Sequence, residues 1–156
     1  MKTLLVVYSY HHMNTEKVAK VFVQILGAQI KTPQQTDPKE LQEYDLVGFG
    51  AGIDSGKHYQ PVLDFADKLP QTDGKKVFIF STAALSGDKK RGKDHSALRE
   101  KLESKGYTVV DDFQCKGFNT NSFLRFLGGM NRGRPNAKDL KHAEEFALGL
   151  KKRLGE

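Results

Sequence analysis

Short apolar runs alternate along this chain with segments whose apolar residues recur at helical spacing. The runs at 3–8, 45–49 and 76–81 are apolar at consecutive positions, as in strands buried on both faces of a parallel sheet. A short strand is predicted at 28–31 and a more polar one at 107–115. The pattern therefore indicates five strands.

Helices are predicted between these strands and after the last one. Most have an apolar stripe or a terminal signal such as Gly27 or Gly106 just past the helix end. The predicted segments are Asn14 to Leu26, Lys39 to Tyr44, Pro61 to Leu69, His95 to Lys105 and Ala137 to Leu154. Because helical crossovers make neighbouring strands parallel and are right-handed, this order predicts an α/β fold, a three-layer sandwich. Residues 1–156 are predicted to form a single domain.

Composition narrows the class of protein. The single cysteine, Cys115, excludes an intramolecular disulfide and is expected to serve packing. The longest apolar runs are too short to insert into a membrane, and the first residues lack a signal-peptide pattern, so we expect a cytoplasmic protein. Lys and Arg total 25 against 19 Asp and Glu, a formal charge of +6. The cationic residues are dispersed and not interleaved with aromatic residues, which disfavours nucleic-acid binding.

Three predicted loops are candidates for a binding site, because α/β sheets bind ligands beyond the carboxyl ends of their strands. They span 9–15, 50–59 and 81–93. The first leads directly into a helix, whose free amides and dipole favour an anion such as a phosphate. It holds hydroxyl and amide donors and two histidines but no Lys or Arg. Amides and hydroxyls would therefore neutralise most of the phosphate charge.

The segment from Tyr8 to Glu16 resembles the phosphate-binding loop of the flavodoxins. Tyr8, Asn14, Thr15 and Glu16 stand as they do in that family, whereas residues 10–13 depart from it. Met13 replaces a glycine, so a positive φ at this position would strain the backbone. Strand count, loop placement and length extend the resemblance to the whole chain.

This resemblance implies a five-stranded sheet of order 2-1-3-4-5 and non-covalent binding of FMN by an electron carrier. The phosphate would be held by Ser9, Tyr10, His11, His12, Met13, Asn14 and Thr15. The flavin N5 edge would meet Gly52, Ile53 and Asp54, with Tyr59 nearby, and the pyrimidine edge would meet Thr82, Ala83, Ala84 and Leu85. The glycines at 50–56 would let the backbone approach the flat ring. No catalytic residue or metal ligand is predicted; His11 and His12 lack partner ligands nearby.

Two departures from the family affect the expected chemistry. The chain has no Trp, so the flavin would either be more open on one face or be covered there by Phe118, Phe123 or Phe126. It is also basic, whereas flavodoxins are usually acidic. A basic protein destabilises the reduced flavin anion less, so we expect a less negative second reduction potential. We expect a redox partner protein, an acidic one if it docks on a rim of Lys57, Lys89, Lys90 and Arg91.

Two alternatives remain open at this point. The first is an FMN-dependent oxidoreductase on the same fold that reduces a quinone or oxidises a porphyrinogen-like substrate. Its substrate pocket would be formed by residues 52–58 together with residues 118–134. The second is an interaction domain without flavin, for which Met13 and the absence of Trp are the arguments.

Overall fold

The computed structural model describes residues 1–9, 13–117 and 131–155. Its strands are β1 (Thr3–Tyr8), β2 (Gln29–Lys31), β3 (Leu46–Asp54), β4 (Lys57–His58), β5 (Lys76–Ala83) and β6 (Thr108–Lys116). Its helices are α1 (Asn14–Leu26), α2 (Gln60–Asp67), α3 (Asp88–Ser104) and α4 (Ala137–Leu154), with 3₁₀ turns at Pro33–Gln35 and Pro38–Glu43. Among these residues, no helix has both the length and the hydropathy to cross a bilayer.

The main sheet is parallel and has the order β2-β1-β3-β5-β6. This confirms the predicted order 2-1-3-4-5, since β4 is a two-residue strand that pairs antiparallel with the end of β3, outside the main sheet. The strand order reverses between β1 and β3, so their carboxyl ends define the crevice where such folds bind ligands.

Helices cover both faces of the sheet and enclose two apolar cores. One core joins the sheet to α2 and α3 and includes Phe49, Phe65 and Leu98. The other joins it to α1 and α4 and includes Phe22, Phe78 and Phe80. Because alternate strand residues point to opposite faces, neighbouring β5 residues enter different cores.

Three predicted boundaries were wrong at this end of the sheet. β3 continues to Asp54 and β5 to Ala83, because Gly52 and Thr82 still pair in parallel register. Gly52, Ile53, Asp54, Thr82 and Ala83 are therefore strand residues, not loop residues. The third loop is also shorter than predicted, because α3 begins at Asp88. The first turns of α3 are rich in Lys and Arg and lack the apolar periodicity that identifies a helix.

The glycines of β3 make room for aromatic rings of the protein itself. A Cβ on Gly50 would lie 2.2 Å from the Phe80 ring, and a Cβ on Gly52 would lie 2.6 Å from the Tyr59 ring. At both positions a ring of the protein itself thus occupies the place of the missing Cβ, and the approach of this backbone to a flavin stays a prediction. Gly56 has φ +77 in the turn between β3 and β4, a conformation that favours glycine.

Candidate functional site

A group of hydroxyls lies where β1 and β5 end and α1 begins. Thr15 and Thr82 are almost fully buried, and their Oγ1 atoms are 2.9 Å apart. Ser9 Oγ accepts a hydrogen bond of 3.2 Å from the Glu16 amide in the first turn of α1. This turn has no cap bond from the side chain of Met13. Hydroxyls and the positive end of a helix dipole at one place are suited to an oxyanion.

Met13 has the strained backbone that the sequence predicts. Its φ and ψ are 54° and 34°, in the left-handed region, where the resembling loops have glycine. The side chain is 49% exposed and therefore gains little burial in return. Such strain often marks a functional loop. The predicted phosphate-site residues Tyr10, His11 and His12 lie outside the described residues.

The predicted N5 loop is a β-hairpin rather than an irregular loop. Ile53 pairs with His58, and the Tyr59 amide donates to the Gly52 carbonyl at 3.1 Å. The Tyr59 ring packs edge-on against Tyr8, with centroids 5.9 Å apart. Gly52 and Tyr59 are thus in contact, while Asp54 is exposed at the hairpin tip.

The third loop is held by residues that the sequence analysis did not identify. The Gly117 amide donates to the Ala83 carbonyl at 3.0 Å, and Asn131 Nδ2 donates to the Ala84 carbonyl at 2.6 Å. Gly117 also packs closely on Asn14, because a Cβ there would lie 2.6 Å from Asn14 Nδ2. The chain after β6 thereby connects α1 with the third loop, and Leu85 is left 58% exposed.

A buried chain of polar side chains lies behind the end of β5, on the side facing α3. His95 is fully buried; its Nε2 is 2.7 Å from Ser81 Oγ and its Nδ1 is 2.7 Å from Asp112 Oδ2. Gln114 Nε2 donates to Ser81 Oγ at 3.1 Å and to Asp94 Oδ2 at 2.9 Å. These are the contacts of a Ser-His-Asp triad, but Ser81 is fully buried, so no substrate can reach it as a nucleophile.

A bulge in β6 orients this network. The pairing with β5 shifts between Val77 and Phe78, so that Asp112 pairs with Ile79 and Gln114 with Ser81. Asp112 and Gln114 consequently share the α3 side of the sheet with Ser81. Bulges commonly re-aim side chains in this way.

Charges around Asp112 keep it ionised. Burial alone would raise the pKa of Asp112, but the hydrogen bond from His95 and the nearby Arg91 and Arg99 outweigh it and lower the pKa. Arg91 Nε lies 3.3 Å and Arg99 Nη2 3.6 Å from the carboxylate.

His58 connects the hairpin to this network. Its Nε2 is 3.0 Å from the Phe80 carbonyl, and its ring centroid is 5.1 Å from that of His95. Burial, reinforced by the neighbouring His95, lowers the pKa of His58 to about 3. His58 is therefore neutral near pH 7 and donates from Nε2 to β5.

The cationic residues at and near the expected rim, with Lys93 added to the predicted four, fall into two groups. Lys90 is paired with Asp94, and Arg91 is paired with Asp88 and Asp112. These two residues are partly buried and belong to the α3 network. Lys57, Lys89 and Lys93 are exposed and form no ion pair within the described residues.

Cys115 is buried against α4 and takes no part in this site. Burial, with a contribution from Asp139, raises the pKa of its thiol to about 12. The residue therefore packs as an inert side chain. Within residues 1–9, 13–117 and 131–155, His, Cys, Asp and Glu form no cluster suited to a metal ion.

The buried polar network around His95, behind the hydroxyl group of the site, was not predicted from the sequence. His58, Ser81, His95 and Asp112 come together only through the hairpin, the bulge and the early start of α3. Asp94 and His95 at the start of the predicted helix were the available signal, since both are polar at positions facing the sheet. The positive φ of Asn131, at 60°, fits the tolerance of Asn for this region but is a weak signal by itself.

The fold and the hydroxyl-lined start of α1 define a flavodoxin-like class of protein. A family model described as flavodoxin domain matches residues 5–147, and the chain belongs to this family. An uncharacterized protein of Methanocaldococcus jannaschii is 43% identical over 152 residues, covering 97% of this chain and 99% of that protein.

Solved structures show the same fold at low identity. A flavodoxin from the domain Archaea has a TM-score of 0.73 at 18% identity, with 100% of both chains covered. Oxidised flavodoxin 2 from Bacillus cereus has a TM-score of 0.73 at 19% identity, covering 98% of this chain and 99% of that one. A short-chain flavodoxin associated with a bacterial microcompartment has a TM-score of 0.69 at 21% identity, with 99% of each chain covered.

Proposed function

We propose that this protein is a cytoplasmic electron carrier that binds FMN non-covalently at the carboxyl ends of β1, β3 and β5. Membership of the flavodoxin family supports this proposal. The observation that carries it is the buried Thr15–Thr82 hydroxyl pair beside the first turn of α1, at the point where the strand order reverses. When bound, the flavin supplies the redox chemistry, and the protein supplies position and charge.

Within this proposal, the phosphate lies against the first turn of α1. The flavin ring lies between two ring segments, residues 52–54 and residues 82–85. Ser9 and Thr15 hold the phosphate together with the amides of α1. Gly52, Ile53 and Asp54 meet the N5 edge, and Tyr59 covers Gly52 from one side. Thr82 to Leu85 meet the pyrimidine edge, where Asn131 fixes the Ala84 carbonyl.

The direct test is the colour and the ligand preference of the purified protein. We expect absorbance near 450 nm and binding of one FMN per chain. Riboflavin, which lacks the phosphate, is expected to bind at least ~10-fold more weakly, because it loses charge-assisted hydrogen bonds of roughly 1.5–3 kcal/mol each. A colourless protein that takes up no FMN would refute the proposal. Steady reduction of a quinone with NAD(P)H would instead favour the oxidoreductase alternative.

The basic surface supports an acidic redox partner. Lys57 at the hairpin tip and Lys89 and Lys93 on α3 are exposed, unpaired within the described part of the chain, and close in sequence to the proposed ring segments. Exposed charges are screened by salt, so electron exchange with an acidic partner should slow as ionic strength rises. An exchange rate independent of salt would count against this partner class.

A further inference from the structure

The buried His95 network adjoins both proposed ring segments, and FMN binding does not account for it. Ser81 immediately precedes Thr82, and His58 is in the hairpin that follows Gly52 and Asp54. The two imidazoles are in contact behind these segments. A charge that appears on a ligand between the segments will therefore act on this network.

The hydrogen bonds of His95 fit a neutral imidazole that carries its hydrogen on Nδ1. Ionised Asp112 can only accept, so Nδ1 of His95 donates to it. Ser81 Oγ already accepts from Gln114 Nε2, and the acceptor within reach of its own hydrogen is Nε2 of His95. The neutral Nδ1–H tautomer satisfies all these groups, and it leaves Nε2 as a base.

The groups around His95 make it the site where an added proton is held. Asp112, from β6, stays ionised beside Arg91 and Arg99, and its partly exposed carboxylate connects the imidazole with the surface. His58, from β4, is fully buried and strongly disfavours a proton. Asp94 on α3 is occupied by Lys90 and Gln114. On α2, Asp67 pairs with Lys101, further along α3.

We propose that His95 takes up one proton when the bound flavin receives its second electron. This inference rests on the proposed FMN-binding function. The electron comes from the redox donor and adds a negative charge to the ligand. One proton from solvent forms an N–H bond at Nε2 of His95, after which Ser81 Oγ accepts from Nε2 instead of donating to it. The O–H bond of the solvent hydronium that gives the proton breaks, no other covalent bond is made or broken, and charge balances as one electron and one proton.

The test is a potentiometric titration of the FMN-loaded protein between about pH 5.5 and 8.5, a range that brackets ordinary imidazole titration. One proton per electron shifts the second potential by up to about 59 mV per pH unit, the value of a tenfold change in equilibrium constant for one electron. We expect this slope in the wild type and its loss in His95→Gln. The matched control is His142→Gln, an exposed position on α4, which should keep the wild-type slope.

A second measurement observes the proton directly. Histidine NMR of the wild-type FMN complex should show His95 neutral in the oxidised protein and protonated in the fully reduced protein at the same pH. This measurement decides the question if His95→Gln does not fold.

Two results overturn the inference while FMN binding stands. One is a slope unchanged in His95→Gln, which would place the proton on the flavin. The other is a His95 signal with the same protonation state in both redox states. A chain that binds no FMN would instead refute the proposed function, and this inference with it.

Discussion

Two neighbouring residues at the carboxyl end of β5, Ser81 and Thr82, point to opposite faces of the sheet and have very different surroundings. Thr82 faces α1, and its Oγ1 lies 2.9 Å from the hydroxyl of Thr15. Ser81 faces α3 and meets His95, through which it is linked to Asp112 and two arginines. Because alternate strand residues point to opposite faces, one strand can contribute to an uncharged anion site and to a charged network. In the two proposals above, the first face holds the phosphate of the ligand and the second responds to the ligand's charge.

The largest expected effect comes from breaking the charged face. Asp112→Ala should lower the free energy of unfolding by about 3 kcal/mol, because it leaves Arg91, Arg99 and buried His95 without their shared carboxylate. Asp111→Ala is the matched control, since Asp111 pairs with the exposed Arg153 and should cost less than about 1 kcal/mol. Urea unfolding measures both. Equal losses would mean that the network adds no stability beyond a surface ion pair.

The next largest expected effect is the dependence of the free energy of unfolding on pH that His58 causes. Its pKa of about 3 in the folded protein lies below the unfolded value of about 6.5, so the unfolded state binds a proton that the native state excludes. The contribution of neutral His58 to the free energy of unfolding is complete above pH ~6.5. As the pH decreases below this value the free energy of unfolding falls, by about 2 kcal/mol on reaching pH 5. His58→Gln should remove this part of the pH dependence, whereas exposed His142→Gln should retain it. Thermal unfolding at several pH values provides the check, and identical pH slopes for wild type and His58→Gln would contradict the burial of a neutral imidazole.

A smaller expected effect is on FMN affinity, which should depend on the hydroxyls facing α1 and not on Ser81, which faces α3. Thr15→Val keeps the shape of the side chain but removes a hydroxyl beside the proposed phosphate, which should weaken FMN about tenfold, or ~1.4 kcal/mol. Riboflavin binding should change less. Ser81→Ala alters the opposite face and should leave the preference for FMN over riboflavin intact. Fluorescence titration with both ligands measures the contrast, and an equal loss of preference in the two variants would remove the distinction between the faces.

The smallest effect is backbone strain at Met13. Met13→Gly should raise the free energy of unfolding by up to about 1 kcal/mol, because glycine adopts φ 54° without the steric cost that a Cβ imposes. Met13→Ala retains the Cβ and should bring no such gain. Calorimetry of the two variants tests this, and a stabilisation by alanine equal to that by glycine would assign the effect to the exposed side chain instead.

The sequence was informative wherever periodicity and terminal signals agreed. β1 and α1 lie at the predicted residues, and the order of the parallel strands is confirmed, because buried apolar runs and amphipathic stripes leave few alternatives. The strained φ of Met13 also follows the prediction. The sequence predicts strain if this position requires a positive φ, and the structure meets that condition.

The charged face could not be predicted because it depends on long-range register. The bulge in β6 decides which of Asp111 and Asp112 faces α3, and the sequence alone does not locate it. The sequence also does not show that the glycines at 50 and 52 accommodate Phe80 and Tyr59, because the approach of these rings depends on packing between distant segments. The ion pairs of Lys90 and Arg91 were not predictable either, because they depend on the early start of α3 and on the position of Asp112 in β6.

Titration of the purified protein with FMN, followed by the change in flavin absorbance and fluorescence, tests the central claim most directly. The account predicts saturation at one FMN per chain, with riboflavin clearly weaker and Thr15→Val reducing that difference. Absence of saturable binding, or equal affinity for FMN and riboflavin, would contradict a phosphate held at the start of α1.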